Sequence, residues 1–236
     1  MKKVWTILLA ALLLTAGCQS KTQPKNTAMD VAIETAEEDV LHPGVAGGWT
    51  PAEDYEITEA RKAVFDKGTA ELDINYAPLA YLGSQVVAGT NHVFLSRGIG
   101  LYALIYVYES LQGDVQLMNI AQLPIVPQAD GTLTVPEAGL SGGWYYAKDP
   151  AFTDEDEAKL EAALQNQVGA SYAIVAYVGE QVVAGLNRCL LVQVTPVVPN
   201  AQPHYALAYI YTDLQGNSSL TQIIDLDIGA YCTYGA

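Results

Sequence analysis

Three short segments of this chain occur twice, in the same order. Gly47-Gly48-Trp49 returns as Gly142-Gly143-Trp144, and Gln85-Val86-Val87-Ala88-Gly89 returns as Gln181-Val182-Val183-Ala184-Gly185. Tyr102-Ala103-Leu104 with Leu111-Gln112-Gly113 returns as Tyr205-Ala206-Leu207 with Leu214-Gln215-Gly216. Ordered self-similarity makes the folding unit a repeat rather than the whole chain. Spacing holds as far as Gln181 and lengthens before Tyr205, which localises one insertion to Thr195-Pro196-Val197-Val198-Pro199-Asn200-Ala201-Gln202-Pro203. Its prolines and Asn mark a surface loop. The repeat predicts domains over 44–126 and 140–229, a linker over 127–139 and a tail over 230–236. Domains this small can fold alone, with little margin.

Both copies read alike. Thr50-Pro51-Ala52-Glu53 has the form of a capping box with proline at the first helical position. Ile57, Ala60 and Val64 follow at helical spacing, and Gly68 can end the run. In the second copy Thr153 with Asp156 caps a helix whose apolar stripe is Leu160, Ala163 and Leu164. Strand patterns then cover 72–81, 91–97, 101–109 and 115–125, with Leu111-Gln112-Gly113 as a tight turn. The expected class is α+β: two tandem domains, each with one helix packed across a curved antiparallel sheet of four to five strands.

Half of the residues are apolar and only 16% are charged, so a packed core is expected. A net charge of −15, from 26 acidic against 11 basic residues, argues against nucleic acid as a partner. At the start, Lys2 and Lys3 precede an apolar run from Val4 to Ala16 that is too short to span a bilayer. The run closes on Leu14-Thr15-Ala16-Gly17-Cys18, which resembles a bacterial lipobox. Residues 1–17 are thus expected to be a lipoprotein signal peptide, Cys18 the lipidated N-terminus, and 18–43 a flexible tether holding an exported protein at its membrane. That context permits a disulfide between Cys189 and Cys232, with two unpaired thiols as the alternative. The histidines His42, His92 and His204 have no paired spacing, and no metal-ligand cluster or phosphate loop appears. Asp154, Glu155, Asp156 and Glu157 suit the first turn of a helix. No enzyme chemistry, metal or cofactor is expected.

The repeated segments resemble those of cystatins, specifically the disulfide-free stefins. A glycine pair precedes the helix at Gly47-Gly48 and Gly142-Gly143, and the Gln-Val-Val-Ala-Gly hairpin follows, continued in the first copy by Thr90-Asn91 as in stefins. Last comes Ser110-Leu111-Gln112-Gly113, where a stefin would usually have Ser-Leu-Pro-Gly. The resemblance implies a wedge that lies across the active-site cleft of a papain-like cysteine peptidase and occludes it reversibly. The implied peptidase-binding residues are Gly47, Gly48, Gln85, Val86, Val87, Ala88, Gly89, Leu111 and Gln112, and Gly142, Gly143, Gln181, Val182, Val183, Ala184, Gly185, Leu214 and Gln215.

The residue chemistry supports the same use. Bare glycine backbone fits a narrow cleft, and branched apolar side chains at a hairpin tip are costly in water unless a partner covers them. Each segment also has a bland reading, since Val-Val is common in cores and Gly-Gly in linkers. The alternative function is a non-inhibitory envelope lipoprotein that uses the repeats as a protein-binding module. Gln112 and Gln215 in place of proline make the second hairpin less rigid than in stefins, and Leu186 stands where the first copy has Thr90. The sequence leaves a domain-swapped dimer open.

Overall fold

A computed structural model describes residues 47–164 and 167–232. The signal peptide, Cys18, the tether, His42, residues 44–46 and the last four residues of the tail lie outside the described residues.

The chain runs through β1 (Trp49–Pro51), α1 (Glu59–Thr69), β2 (Ala77–Val87), β3 (Gly89–Gly98), β4 (Leu101–Glu109) and β5 (Val115–Gln122). The short strands β6 (Val126–Pro127) and β7 (Leu133–Thr134) form a hairpin of their own. The second half follows as β8 (Tyr145–Tyr146), α2 (Asp154–Leu164), β9 (Ala170–Val183), β10 (Gly185–Pro196), β11 (His204–Thr212) and β12 (Ser218–Leu226). One antiparallel sheet has the order β1-β2-β3-β4-β5 and the other β12-β11-β10-β9-β8.

The expected fold class is corrected by this architecture. The described residues are mostly β, in three sheets with two helices, and they form one compact unit rather than two tandem helix-on-sheet domains. The cause is visible in β4 and β11, where six consecutive residues of each strand are buried. A strand apolar on both faces needs a cover on each side. One layer of core lies on the outer side of each sheet, with Phe65 of α1 against Phe94, Ile105 and Val107, and Leu160 of α2 against Leu190, Val192 and Ile210. The inner faces cover each other. Leu82, Val93, Leu104 and Tyr106 share one core with Val178, Leu191, Leu207 and Tyr209, and Leu123 and Ile125 of the connection lie within it.

Hydrogen bonds between the halves show how the sheets cross. The Tyr146 hydroxyl donates to the Leu123 carbonyl beyond β5, the Ala147 carbonyl accepts from Tyr102 of β4, and the Lys148 carbonyl accepts from Arg97 of β3. Successive residues of one segment therefore step across successive strands of the other sheet. The segment after β1 repeats this: Ala52 accepts from Gln193 of β10, and the Tyr55 hydroxyl donates to Ile174 of β9. A chain that steps from strand to strand runs across them, so the sheets cross steeply, in the orthogonal manner of sheet packing.

Local expectations fared unevenly. The Thr50 capping box is instead an edge strand, with Trp49 opposite Gln85 and Pro51 opposite Gly83. Helix α1 begins later, capped by Thr58, whose side chain accepts from the Arg61 amide. Gly68 does not end that helix but packs it closely, because a Cβ there would lie 2.6 Å from Val107 Cγ1. At α2 the Thr153–Asp156 pair bonds reciprocally, as its spacing predicts.

Candidate partner-binding rims

Each large sheet ends in a rim built from three pieces distant in sequence. In the first sheet the register sets Trp49 beside Gln85, closes β2 on β3 at Val87 and Gly89, and sets Thr90 beside Glu109, the last residue before the β4–β5 turn. Gly47-Gly48, the Val86–Gly89 hairpin and the Leu111-Gln112 turn thus share one end of one sheet. The register of β9, β10 and β11 brings Val182–Gly185 and Leu214-Gln215 together in the second sheet.

Specific bonds hold the pieces in place. Gln85 Nε2 donates to the Gly47 carbonyl at 2.5 Å, and Gln85 Oε1 accepts from Asn91 Nδ2 at 2.7 Å. The Tyr108 hydroxyl, from β4, donates to the Ala88 carbonyl at the hairpin tip at 2.5 Å. The second rim repeats the set: Gln181 donates to Gly142 at 2.9 Å and accepts from Asn187 at 2.8 Å, while Tyr211 donates to Ala184 at 2.5 Å. The role of Gln here is to brace the glycine segment. Sequence reasoning reaches Asn91 only as the continuation of the first hairpin and misses Asn187 and both tyrosines, although Tyr108 with Tyr211 and Asn91 with Asn187 belong to the same repeat.

Gly89 and Gly185 carry the close approach of hairpin to neighbour. Both have φ of +135°, and a Cβ on either would fall 2.4 Å from the carbonyl oxygen of Glu109 or Thr212. Only glycine meets both conditions. The second hairpins are tied by side chains: Ser110 Oγ accepts from the Gln112 and Asp114 amides, and Asp213 Oδ1 accepts from the Gln215 and Asn217 amides. Hydrogen bonds from Asn217 and these amides hold the Asp213 carboxyl below its ordinary pKa.

The apolar tips face solvent. Val86 is 75% exposed and Val87 41%, Val182 63% and Val183 45%, and Leu111 and Leu214 about four-fifths. Stiff apolar side chains held out in water on a braced backbone form a preorganised contact surface. The rims are unequal at the glycine pair. Gly47 is exposed and Gly48 half-buried, whereas Gly143 is buried under Leu140, leaving Gly142 exposed beside the outward-facing Leu140 side chain.

Behind the rims the charge arrangements differ. In the first copy His92 Nδ1 lies 3.0 Å from the Tyr81 hydroxyl and Nε2 lies 3.4 Å from Glu109. Arg61 sits 4.2 Å over the Tyr81 ring and pairs with Asp54. Burial holds the His92 pKa below the ordinary histidine value, against the opposing pull of Glu109. In the second copy Arg188 takes this place, 3.5 Å from Asp156 and 3.2 Å from Thr212 Oγ1.

Cys189 and Cys232 are free thiols, so the permitted disulfide is not formed. Burial raises the pKa of both. Cys189 stands opposite Tyr209, whereas His204 stands opposite Val194, so this thiol and imidazole are separated along the sheet. His204 pairs with Asp225 at 3.3 Å instead. Among the described residues no group of His, Cys, Asp or Glu is arranged to hold a metal ion. Protein-family models, curated proteins and solved structures yield no match to this chain.

Proposed function

We propose that each rim docks into the active-site cleft of a papain-like cysteine peptidase and blocks it reversibly, with the protein tethered outside its membrane through lipid on Cys18. The observation that carries this reading is the meeting of three separate backbone pieces on one rim, with the paired valines outward. A slim, braced hairpin can enter a groove with little ordering cost, and its valines lose an unfavourable exposure on entry. The same segments carry the resemblance to cystatins. Titrating papain with the chain lacking residues 1–18 tests the proposal. Tight reversible inhibition is expected, weakened at least tenfold in the V86D/V182D double variant, whose substitutions fall on solvent-exposed side chains and whose circular dichroism should match the parent's. Absence of inhibition by the folded parent protein would sink it and favour a binding module for some other protein.

A further inference from the structure

We infer that one chain holds two peptidase molecules simultaneously, one on each rim, and so bridges them; this rests on the reading that the rims bind such enzymes. The rims belong to different sheets, and each points along the strands of its own sheet. Those strands cross steeply, as the stepwise bonds from Tyr146, Ala147 and Lys148 to β5, β4 and β3 show. Two partners seated end-on therefore leave the protein along different axes.

Neither rim lies under the other half. The segment after β1 lies over strands of the second sheet near the end remote from its rim, since Ala52 meets Gln193, which stands opposite Tyr205 at the start of β11. Likewise Tyr146–Lys148 cover the rim-distal end of the first sheet, where Arg97 stands opposite Tyr102. The exposure of Val86, Leu111, Val182 and Leu214 persists in the assembled unit.

The available room decides between simultaneous and exclusive binding. The nine residues of β4 span about 27 Å, so a rim lies roughly 14 Å from the crossing point of the sheets. A 200-residue globular partner has a radius of gyration of about 16 Å, hence an outer radius of roughly 21 Å. Its centre then sits about 35 Å out along its rim's axis. Two such centres at near right angles are roughly 50 Å apart, more than the about 42 Å at which the partners would touch. The halves share one core and exchange the bonds of Tyr106 to Ile228 and Tyr209 to Ile125, which ties the two sheets, and with them the two rim axes, together.

Two readouts on the chain lacking residues 1–18 separate this inference from the one beneath it. Activity titration of papain reports whether a rim inhibits, and light scattering of the purified complex reports how many enzymes ride on one chain. The expected complex has two papain molecules per chain, falling to one in V86D and one in V182D, each single variant still inhibiting. Inhibition with one papain per chain at saturation would overturn simultaneous binding while leaving the rim reading intact. No inhibition at all would overturn both.

Discussion

The hydroxyl of Tyr106 donates a 2.6 Å hydrogen bond to the carbonyl of Ile228, in the opposite repeat. Its counterpart Tyr209 returns the bond to the carbonyl of Ile125 at 3.1 Å. Around them Trp49 packs edge-on to Tyr106 and Trp144 edge-on to Tyr209. Ile228 lies against Gly83 and Ile125 against Gly179, where added Cβ atoms would fall 3.2 and 2.3 Å from the isoleucine methyls. The halves clasp each other as the subunits of a two-fold dimer do, each giving the other what it receives.

Removing a clasp hydroxyl leaves a buried carbonyl without its partner. Y106F and Y209F are each predicted to destabilise the protein by ~1–2 kcal/mol, since a lost buried hydrogen bond costs the desolvation of the group left behind. Because the inner core is common to both repeats, either change should lower a single cooperative transition. Denaturant unfolding followed by circular dichroism and by tryptophan fluorescence checks this. Two separable transitions, only one of them shifted, would contradict a shared core.

At the rims, G89A and G185A should each distort one hairpin, because an alanine there has both a disfavoured φ and a clash with backbone oxygen. The cost expected is ~1–3 kcal/mol, and the affected rim should lose peptidase binding by at least tenfold. Thermal melting with inhibition titration measures both, and a wild-type inhibition constant in either variant would refute the role given to the close approach.

Gln85 and Gln181 brace exposed backbone rather than the core. Their replacement by Ala should shift stability by less than about 1 kcal/mol, as befits hydrogen bonds at half-buried sites. Hydrogen exchange at Asn91 or Asn187 and in the neighbouring glycine segment should nonetheless accelerate severalfold. Unchanged exchange there would show that the brace holds nothing.

Lowering the pH should destabilise the protein through His92. The native pKa of this residue lies below the unfolded value of about 6.5, so in this window the unfolded chain binds the proton more readily than the folded one. Stability is then complete above about pH 7 and falls as pH drops below 6.5, by at most ~1.4 kcal/mol per pH unit for one proton. Glu109 moderates the loss by favouring the imidazolium, while Arg61 and burial act against it. The Asp54 carboxyl, held below the ordinary carboxylate range by its hydrogen bond from Arg61, stays outside this window. H92Q should flatten the curve between about pH 5 and 7, as measured by urea unfolding at stepped pH; an unaltered slope would point to another group.

Much of the rim was legible because its signals are local. Val-Val before Ala-Gly, a glycine in a strand-ending turn and a Ser- or Asp-led tight turn each act through neighbouring residues, and repetition in register raised each above chance. The start of α1 is hidden from the sequence for the opposite reason. Thr50-Pro51-Ala52-Glu53 satisfies a local helix-start pattern, yet Trp49–Pro51 finds a better partner in the edge of β2, a contact no short window contains. The buried run in β4 reads as a strand from its residues alone, whereas the cover on its second apolar face is the other sheet, which lies far away in sequence.

From residue order alone come the two repeats, their hairpins and the apolar tips, since turn geometry and strand alternation depend on neighbours a few positions apart. The face-to-face union of the sheets, their steep crossing and the clasp through Ile125 and Ile228 come from packing. These contacts join residues more than eighty positions apart, and they form because both inner faces are apolar and each half has the shape that covers the other.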